Sequence, residues 1–177
     1  MINSAINQLL NNKNLDETTI YEVFEEILSG VSDSIKTTSF VSILKAKEET
    51  LDEIFYSILA SKNFIKKINL NANKENLIEN INLSYCETIL DISFAVDIIC
   101  AANDLGALKY SFDSDKSFRT LKFFCNNQES MLENFERLSF AYFLLDKQEP
   151  YYKYSSQVSK RLPFETIFSL IDNFLNP

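Results

Sequence analysis

Apolar residues recur through the first sixty positions at the spacing of three and four that places them on one side of an α-helix. This periodicity predicts four amphipathic helices in residues 1–67 and excludes a strand-rich start. The four predicted stripes are Ile2, Ala5, Ile6, Leu9 and Leu10; Ile20, Val23, Phe24, Ile27 and Leu28; Ile35, Phe40, Val41 and Leu44; and Leu51, Ile54, Phe55, Ile58 and Leu59.

Residues suited to helix ends stand between these stripes. The second helix is predicted to carry the acidic Asp16 and Glu17 in its first turn, where the helix dipole favours them, and to end just before Gly30, a residue that accepts the left-handed backbone common past a helix. The third is expected to open in the Ser-Asp-Ser stretch at 32–34. The fourth is expected at Thr50, whose hydroxyl can form a capping box with Glu53.

The pattern changes after residue 67. Residues 68–85 are rich in asparagine and are predicted to be a linker. Beyond them, a helical stripe at 92–100 is followed by alternation at 108–112, which is typical of a half-buried strand. Helices are expected over 117–125 and over 131–138.

A continuous apolar run at 140–145 predicts a strand covered on both faces, and the last two helices are expected to start near Pro150 and Pro163. Because helices and strands alternate, the strands should pair in parallel. The predicted fold is mostly α with a small α/β part: an N-terminal helical bundle packed on a short parallel sheet of two to three strands. Residues 86–177 form the α/β part, and its last helices, at about 150–175, are expected to pack with the helical domain.

Composition excludes several functions. The net charge is −8 and no basic stripe is present, so nucleic acid is not an expected partner. No apolar window reaches the length of a membrane span, and no membrane partner is expected. The chain has no histidine, and Cys86, Cys100 and Cys125 are widely spaced, so no metal site is expected and the cytoplasm is the predicted location. Without a histidine to act as base, Cys125 is expected to be a buried thiol rather than a nucleophile.

Three stretches carry a resemblance to a known family. The segment "LLNNKNLDETTIYEVFEEILSGVSDSIKTTSFVSILKAKEETLDEI" resembles the N-terminal helical domain of the anthranilate phosphoribosyltransferases, which form part of glycosyltransferase family 3 and are related to the nucleoside phosphorylases. Its "LKAKEETLDEI" is similar to the family's "L-x-x-K-G-E-T-x-x-E-I". The segments "TILDISFAVDIICAANDLGALKY" and "SKRLPFETIFSLIDNFLNP" are similar to later family segments, so the resemblance covers nearly the whole chain.

The resemblance implies a phosphoribosyl pyrophosphate site that this chain has altered. Family members hold the pyrophosphate on a glycine loop, "GTGGD", between the first strand and the next helix of the catalytic domain, and the matching residues 81–85 read "INLSY". The family's phosphate-binding "NIST" becomes "DISF" at 91–94, which keeps Ser93. Lys109 matches a ligand-contacting lysine, and Lys160 neighbours the position of the substrate-binding arginine.

The sequence ends where family members are about half complete, before their magnesium-binding Asp-Glu pair, and its last segment is expected to be a closing helix with a stripe at Ile167, Leu170, Ile171, Phe174 and Leu175. We therefore expect a pseudoenzyme with no catalytic residues and no cofactor. It would act as a protein-interaction or regulatory module, as a homodimer or with another protein, through the helical domain. The alternative is a binder of a small anionic or phosphorylated ligand, or a residual transferase, that uses Ser93, Lys109 and Lys160.

Overall fold

The computed structural model describes residues 1–65, 77–79, 92–111, 124–125, 127–144, 150–159 and 161–175. The chain divides into two compact units, which we call the helical unit (Met1–Lys66 and Gln148–Pro177) and the α/β unit (Lys67–Lys147). The expected fold class, mostly α with a small α/β part, is confirmed.

The elements of each unit follow in chain order. The helical unit contains α1 (Ile2–Leu10), α2 (Glu17–Leu28), α3 (Ser34–Lys47), α4 (Leu51–Lys62), α7 (Pro150–Ser159), α8 (Ile167–Ile171) and a short 3-10 helix (Asp172–Phe174). The α/β unit contains β1 (Leu77–Glu79), α5 (Ile92–Ala101), β2 (Gly106–Ser111), β3 (Phe124–Cys125), α6 (Gln128–Leu138) and β4 (Phe140–Leu144). Within these described ranges, no helix has both the length and the apolar character needed to cross a bilayer.

Side chains cap the starts of α2 and α4, and Asp16, expected in the first turn of α2, is its N-cap. The carboxylate of Asp16 accepts a hydrogen bond from the Thr19 N–H at 2.8 Å and so satisfies a free donor at the start of α2. Thr50 and Glu53 form the expected capping box at the start of α4. Gly30 follows α2 with φ of +79°, and a Cβ added there would collide with the Tyr154 hydroxyl. The positive φ favours glycine at this position, and any larger residue would also require the Tyr154 side chain to move.

Large aromatic side chains form the core of the helical unit. Phe24, Phe40, Tyr151 and Phe168 are all fully buried. The ring of Phe168 lies 5.6 Å from that of Phe24 and 6.2 Å from that of Tyr151, measured between centroids. Aromatic pairs of this kind contribute about 0.5–1.5 kcal/mol beyond the burial of their area. The two C-terminal helices α7 and α8 are therefore part of the same core as α2.

The α/β unit is built on a parallel sheet with the order β1-β2-β4-β3. On one face, Ala107, Phe140 and Tyr142 form a buried cluster against which Cys100 and Ala101 of α5 pack. On the other face, Leu108 and Ala141 are buried with Met131 of α6 and with Cys125. Strand β4 is therefore covered on both faces, as its unbroken apolar run predicts.

The sheet has four strands in the described residues, rather than the two to three expected. The additional strands are the two edges. Strand β1 lies inside the range 68–85 that was expected to be a linker, and β3 lies at the end of the range 117–125 that was expected to be a helix. The rest of both ranges lies outside the described residues. These edges have three and two residues, and short edges expose few unpaired backbone groups.

The last helix also differs from expectation. Helix α8 begins at Ile167 after the cap Thr166, not near Pro163, and it ends after five residues in the 3-10 helix. Ile167, Ile171 and Leu175 are buried as the predicted stripe requires, but Phe174 is exposed. The tighter 3-10 turn rotates Phe174 out of the line that a continuous α-helix would give.

Candidate functional site

Two of the three residues that the resemblance implies for anion contact lie on separate described elements. Ser93 is the second residue of α5, and Lys109 lies in β2 opposite Tyr142 of β4. Lys160 lies outside the described residues. A common site for the three residues stays a prediction.

The sequence between β1 and α5 corresponds in chain order to a strand-to-helix connection, where parallel α/β proteins usually bind anions. In such sheets, ligands lie beyond the carboxyl ends of the strands, next to the N-terminus of the following helix. The intervening residues 80–91 read "NINLSYCETILD" and contain no glycine. The chain has two glycines in all, Gly30 after α2 and Gly106 at the start of β2.

The junction between α3 and α4 contains a buried ion pair. The Lys47 Nζ lies 2.8 Å from the Glu53 Oε2, and their side chains are 5% and 1% exposed. The Glu53 carboxylate also accepts the backbone N–H groups of Leu15 and Thr50, each at 2.9 Å. Lys47 donates in addition to the Asn14 Oδ1 at 2.9 Å. This network joins the α1–α2 connection to the α3–α4 junction.

The Lys47–Glu53 ion pair has a structural role. Burial raises the pKa of Glu53, but the hydrogen bonds from Lys47 and from the two backbone N–H groups outweigh burial and hold the pKa below its usual value. The carboxylate is therefore ionised at neutral pH and is held by Lys47 and by two backbone N–H groups. An ionised carboxylate has no proton to donate as a general acid.

Glu48, beside this pair, has a backbone conformation that side chains disfavour. Its φ is +70° and its ψ is +124°, a region occupied almost only by glycine. Strain of this kind typically costs about 1–3 kcal/mol. In the family motif "K-G-E-T", the position of Glu48 is a glycine. The chain has thus kept the turn but lost the residue that forms it without strain.

Helix α4 packs with the opposite side from the one its apolar stripe predicts. Its buried residues are Glu53, Ser57, Ala60 and Ser61. Leu51 is 85% exposed and Phe55 is 55% exposed. The remaining apolar residues of the stripe, Ile54, Ile58 and Leu59, are only partly buried. The expectation that this stripe faces the core is therefore wrong.

Small side chains explain this orientation. Ser57, Ala60 and Ser61 recur at the spacing of one helix face, and small residues let two helices approach closely. Helix α4 packs most extensively against α2. The sequence contains this spacing of small residues as well as the apolar stripe, and the two patterns predict opposite buried faces for α4. We call Leu51, Ile54, Phe55, Ile58 and Leu59 the outer face of α4.

The predicted stripe of α3 is also partly exposed. Phe40, Val41 and Leu44 are buried as expected, but Ile35, in the first turn, is 77% exposed. Together with Leu51 and Phe55, Ile35 leaves the helical unit with several large apolar groups on its surface.

A tyrosine and an aspartate meet at the end of α8. The buried Tyr151 hydroxyl donates to the Asp172 Oδ1 at 2.6 Å. Burial raises the pKa of Asp172 to about 6, and the hydrogen bond from Tyr151 lowers it only in part. Asp172 is exposed as a residue although one of its oxygens meets a buried hydroxyl. This contact anchors the 3-10 helix to α7.

Cys125 behaves as the sequence predicts. Its side chain is buried, its thiol donates to the Ser130 carbonyl oxygen at 3.3 Å, and its sulfur accepts from the Asn134 Nδ2 at 3.0 Å. Burial raises the pKa of this thiol. The thiol form is therefore favoured at neutral pH, and the thiolate needed for nucleophilic attack is not.

Comparison with known proteins defines the class first. Residues 3–63 match a family model described as "Glycosyl transferase family, helical bundle domain". This range coincides with α1 to α4. The first four helices of the helical unit are therefore similar to that helical bundle domain.

Longer matches identify the relatives. The chain is 24% identical to the anthranilate phosphoribosyltransferase of Buchnera aphidicola subsp. Diuraphis noxia, over 98% of this chain and 54% of that protein. It is 26% identical to the enzyme of the same name from Caldicellulosiruptor saccharolyticus, over 100% of this chain and 55% of that protein. The crystal structure of anthranilate phosphoribosyltransferase from Thermus thermophilus has the same fold, with a TM-score of 0.73 at 17% identity over 98% of this chain and 55% of that one.

This chain is similar to the anthranilate phosphoribosyltransferases over nearly all of its residues, as the resemblance indicates. It spans about half the length of the curated relatives that it matches.

Proposed function

We propose that this chain is a non-catalytic relative of the anthranilate phosphoribosyltransferases that acts through protein interaction. The observation that carries the proposal is the sequence between β1 and α5. The resemblance places a glycine loop for phosphoribosyl pyrophosphate between the first strand and the next helix, and residues 80–91 contain no glycine.

The physical reason concerns access to the backbone. A pyrophosphate in such a loop is held by backbone N–H groups at hydrogen-bonding distance, and glycine leaves the space for this approach. None of residues 81–85 is a glycine, and a side chain hinders an approach of this kind. Both glycines of the chain have other places, one after α2 and one at the start of β2.

A difference in charge from the family motif also disfavours binding of phosphoribosyl pyrophosphate. Asp91 stands where the family's "NIST" motif begins with a neutral asparagine. Two unit charges about 4 Å apart near a protein surface interact by on the order of 4 kcal/mol, and here both are negative. An anionic ligand at the position implied by the resemblance would therefore be repelled.

Interaction through the helical unit is supported by two features of that unit. Its aromatic core is well packed, because Phe24, Tyr151 and Phe168 are fully buried. A packed core holds the surface residues of the unit in fixed positions. That surface includes Leu51 and Phe55 on the outer face of α4, and exposed apolar groups that lie together commonly mark interaction sites.

Titration calorimetry with phosphoribosyl pyrophosphate and magnesium tests the loss of the ligand site. We expect no heat of binding beyond dilution. The anthranilate phosphoribosyltransferase of Thermus thermophilus, titrated under the same conditions, serves as the positive control. A dissociation constant in the micromolar range for this chain would contradict the proposal.

A further inference from the structure

We propose that the outer face of α5 binds a separate polypeptide that supplies the remainder of a parallel α/β domain. The outer face of α5 is defined as Ala95, Val96, Ile98, Ile99 and Ala102. This inference rests on the proposed interaction function, and it adds to that function a surface on the α/β unit and the kind of partner that the surface fits.

Helix α5 is apolar on the side that faces solvent. Val96 and Ile98 are each 44% exposed, and Ile99 is 62% exposed. Ala95 and Ala102 are exposed beside them. A helix on the surface of a globular domain normally turns its polar residues outward, whereas a helix that is apolar on all sides lies inside a larger structure.

The opposite side of α5 is already occupied by the sheet. Cys100 and Ala101 pack against a buried cluster on strands β2 and β4. Asp97, three and four positions before them and so on the same side of the helix, is 1% exposed. Asp97 is the only charged residue from 92 to 103. The one charge of this stretch is therefore buried, while its branched aliphatic side chains face solvent.

The composition of the outer face of α5 indicates the kind of partner. Interfaces between separately folded proteins usually surround an apolar centre with a polar rim. The outer face of α5 consists of two alanines and three branched aliphatic residues, with no polar side chain among them. Such a face resembles the interior of a domain, in which neighbouring helices cover a parallel sheet together.

The lengths of the relatives indicate which polypeptide has this character. The chain covers 54% and 55% of two curated anthranilate phosphoribosyltransferases. The resemblance places the rest of those proteins after the matched half, in the same catalytic α/β domain. A separate polypeptide with this remainder would therefore bring further elements of that domain to the exposed side of α5.

The charge pattern disfavours a membrane as the occupant. A helix that lies on an anionic bilayer carries several basic residues beside its apolar face. Residues 92–101 of α5 include no lysine and no arginine. The net charge of −8 adds repulsion from such a surface.

Co-expression tests the inference. The full chain is produced together with an affinity-tagged polypeptide, the part of the Caldicellulosiruptor saccharolyticus anthranilate phosphoribosyltransferase that this chain does not match. We expect the two polypeptides to co-purify as a complex with one copy of each. The affinity of the purified complex is then measured by surface plasmon resonance.

Two matched variants locate the surface. Ile99→Glu places a charge on the most exposed of the three branched aliphatic residues and should weaken binding about tenfold or more. Ile35→Glu makes the same substitution at an exposed residue of α3 in the helical unit, and it should bind like the wild type.

Urea denaturation of the chain alone tests whether the outer face of α5 is free. Because Ile99 is exposed, Ile99→Glu should leave the urea midpoint close to that of the wild type. Ala101→Glu places a charge against the buried cluster on β2 and β4 and should lower the midpoint. Equal losses in the two variants would show that the chain covers this face itself, and would overturn the inference.

Failure of the two polypeptides to co-purify, or a complex that Ile99→Glu leaves intact, would also overturn it. Self-association of the chain in sedimentation equilibrium that Ile99→Glu abolishes would identify a second copy as the occupant instead. Pelleting with phosphatidylserine vesicles that Ile99→Glu abolishes would identify a membrane.

The proposed loss of catalysis is tested separately. The partner contributes no residue to the sequence between β1 and α5, so the complex would still lack the glycine loop. None of these experiments measures binding of phosphoribosyl pyrophosphate. A failure of this inference is therefore distinguishable from a failure of the proposed non-catalytic role.

Discussion

The helical unit and the α/β unit differ in what their sequences have kept. In the helical unit, the first residues of α2, α3, α4 and α8 are capped by side chains. A cluster of buried aromatic residues packs the N-terminal helices against the C-terminal ones. In the α/β unit, the parallel sheet and its two covering helices are present, but the sequence between β1 and α5 has no glycine. Both units thus have a buried apolar core, whereas residues 80–91 lack the glycines that the resemblance implies for phosphate binding.

The largest expected loss of stability comes from creating a cavity in the core of either unit. Phe24→Ala removes a fully buried ring and should reduce the free energy of unfolding by about 3–5 kcal/mol, and Met131→Ala should cost about 2–5 kcal/mol. Urea denaturation measures the cost, and hydrogen exchange locates it. Lost protection should concentrate in the helical unit for Phe24→Ala and in the α/β unit for Met131→Ala, because the contacts of each residue lie within its own unit. Uniform loss for both variants would remove the distinction between the units.

Phe174→Ala is the control for the aromatic change. Phe174 is 53% exposed, so the same substitution should cost less than about 1 kcal/mol.

The buried ion pair gives the next effect. Lys47→Met keeps the length of the side chain but leaves the Glu53 carboxylate buried without its cation, which should destabilise the chain by about 3 kcal/mol. Lys36→Met is the matched control, because the pair of Lys36 with Asp33 is exposed and should contribute less than about 1 kcal/mol. Equal midpoints in urea for the two variants would show that the junction of α3 and α4 does not depend on the buried pair.

A smaller effect, of opposite sign, is expected at the strained turn. Glu48→Gly should stabilise the chain by about 1 kcal/mol, because glycine adopts a φ of +70° without the strain that a side chain creates. Glu25→Gly, at an exposed position within α2, should destabilise by about 1 kcal/mol, since glycine is unfavourable inside a helix. Thermal melts of the two variants should therefore move in opposite directions.

The smallest effect concerns pH. The pKa of Asp172 is raised from 3.8 to about 6 in the folded chain, so the folded state binds the proton more tightly than the unfolded state. The resulting stability is complete below the unfolded pKa and is lost as the pH rises through 6. Asp172→Asn should lack this dependence, so the wild type should lose stability relative to the variant between about pH 4 and pH 7.

Because Asp172 is exposed as a residue, solvent screening should keep this difference below about 1 kcal/mol. Parallel stability curves for the two proteins across this range would contradict the assignment.

Local signals predicted most of the helical unit. The cap residues Asp16 and Thr50 and the glycine at position 30 each act within a few positions of the chain, so their effect on helix ends is readable from the sequence. Strands β2 and β4 were predicted for a similar reason, since alternation and an unbroken apolar run are local patterns.

Features that depend on distant partners were missed. Strands β1 and β3 have three and two residues, too few for a pattern, and they exist because β2 and β4 offer backbone partners. The buried face of α4 was mispredicted. The small residues Ser57, Ala60 and Ser61 pack toward the core, and the larger apolar face of the helix does not. The end of α8 depends on a hydrogen bond from Tyr151, which is 21 positions away.

The candidate site was predictable only through the resemblance. Ser93 and Lys109 have no local signature of anion binding, and the glycine loop was inferred from the family's motif and not from the residues 81–85 themselves. The structure adds a strand, β1, before these residues in the chain and a helix, α5, after them.

Turnover is the most direct test of the claim that this chain keeps the family's fold without its chemistry. Anthranilate is fluorescent, so its consumption in the presence of phosphoribosyl pyrophosphate and magnesium can be followed continuously, with the Thermus thermophilus enzyme as the positive control. We predict a rate equal to that of the reaction without protein. Consumption of anthranilate in molar excess over the added chain would contradict the account.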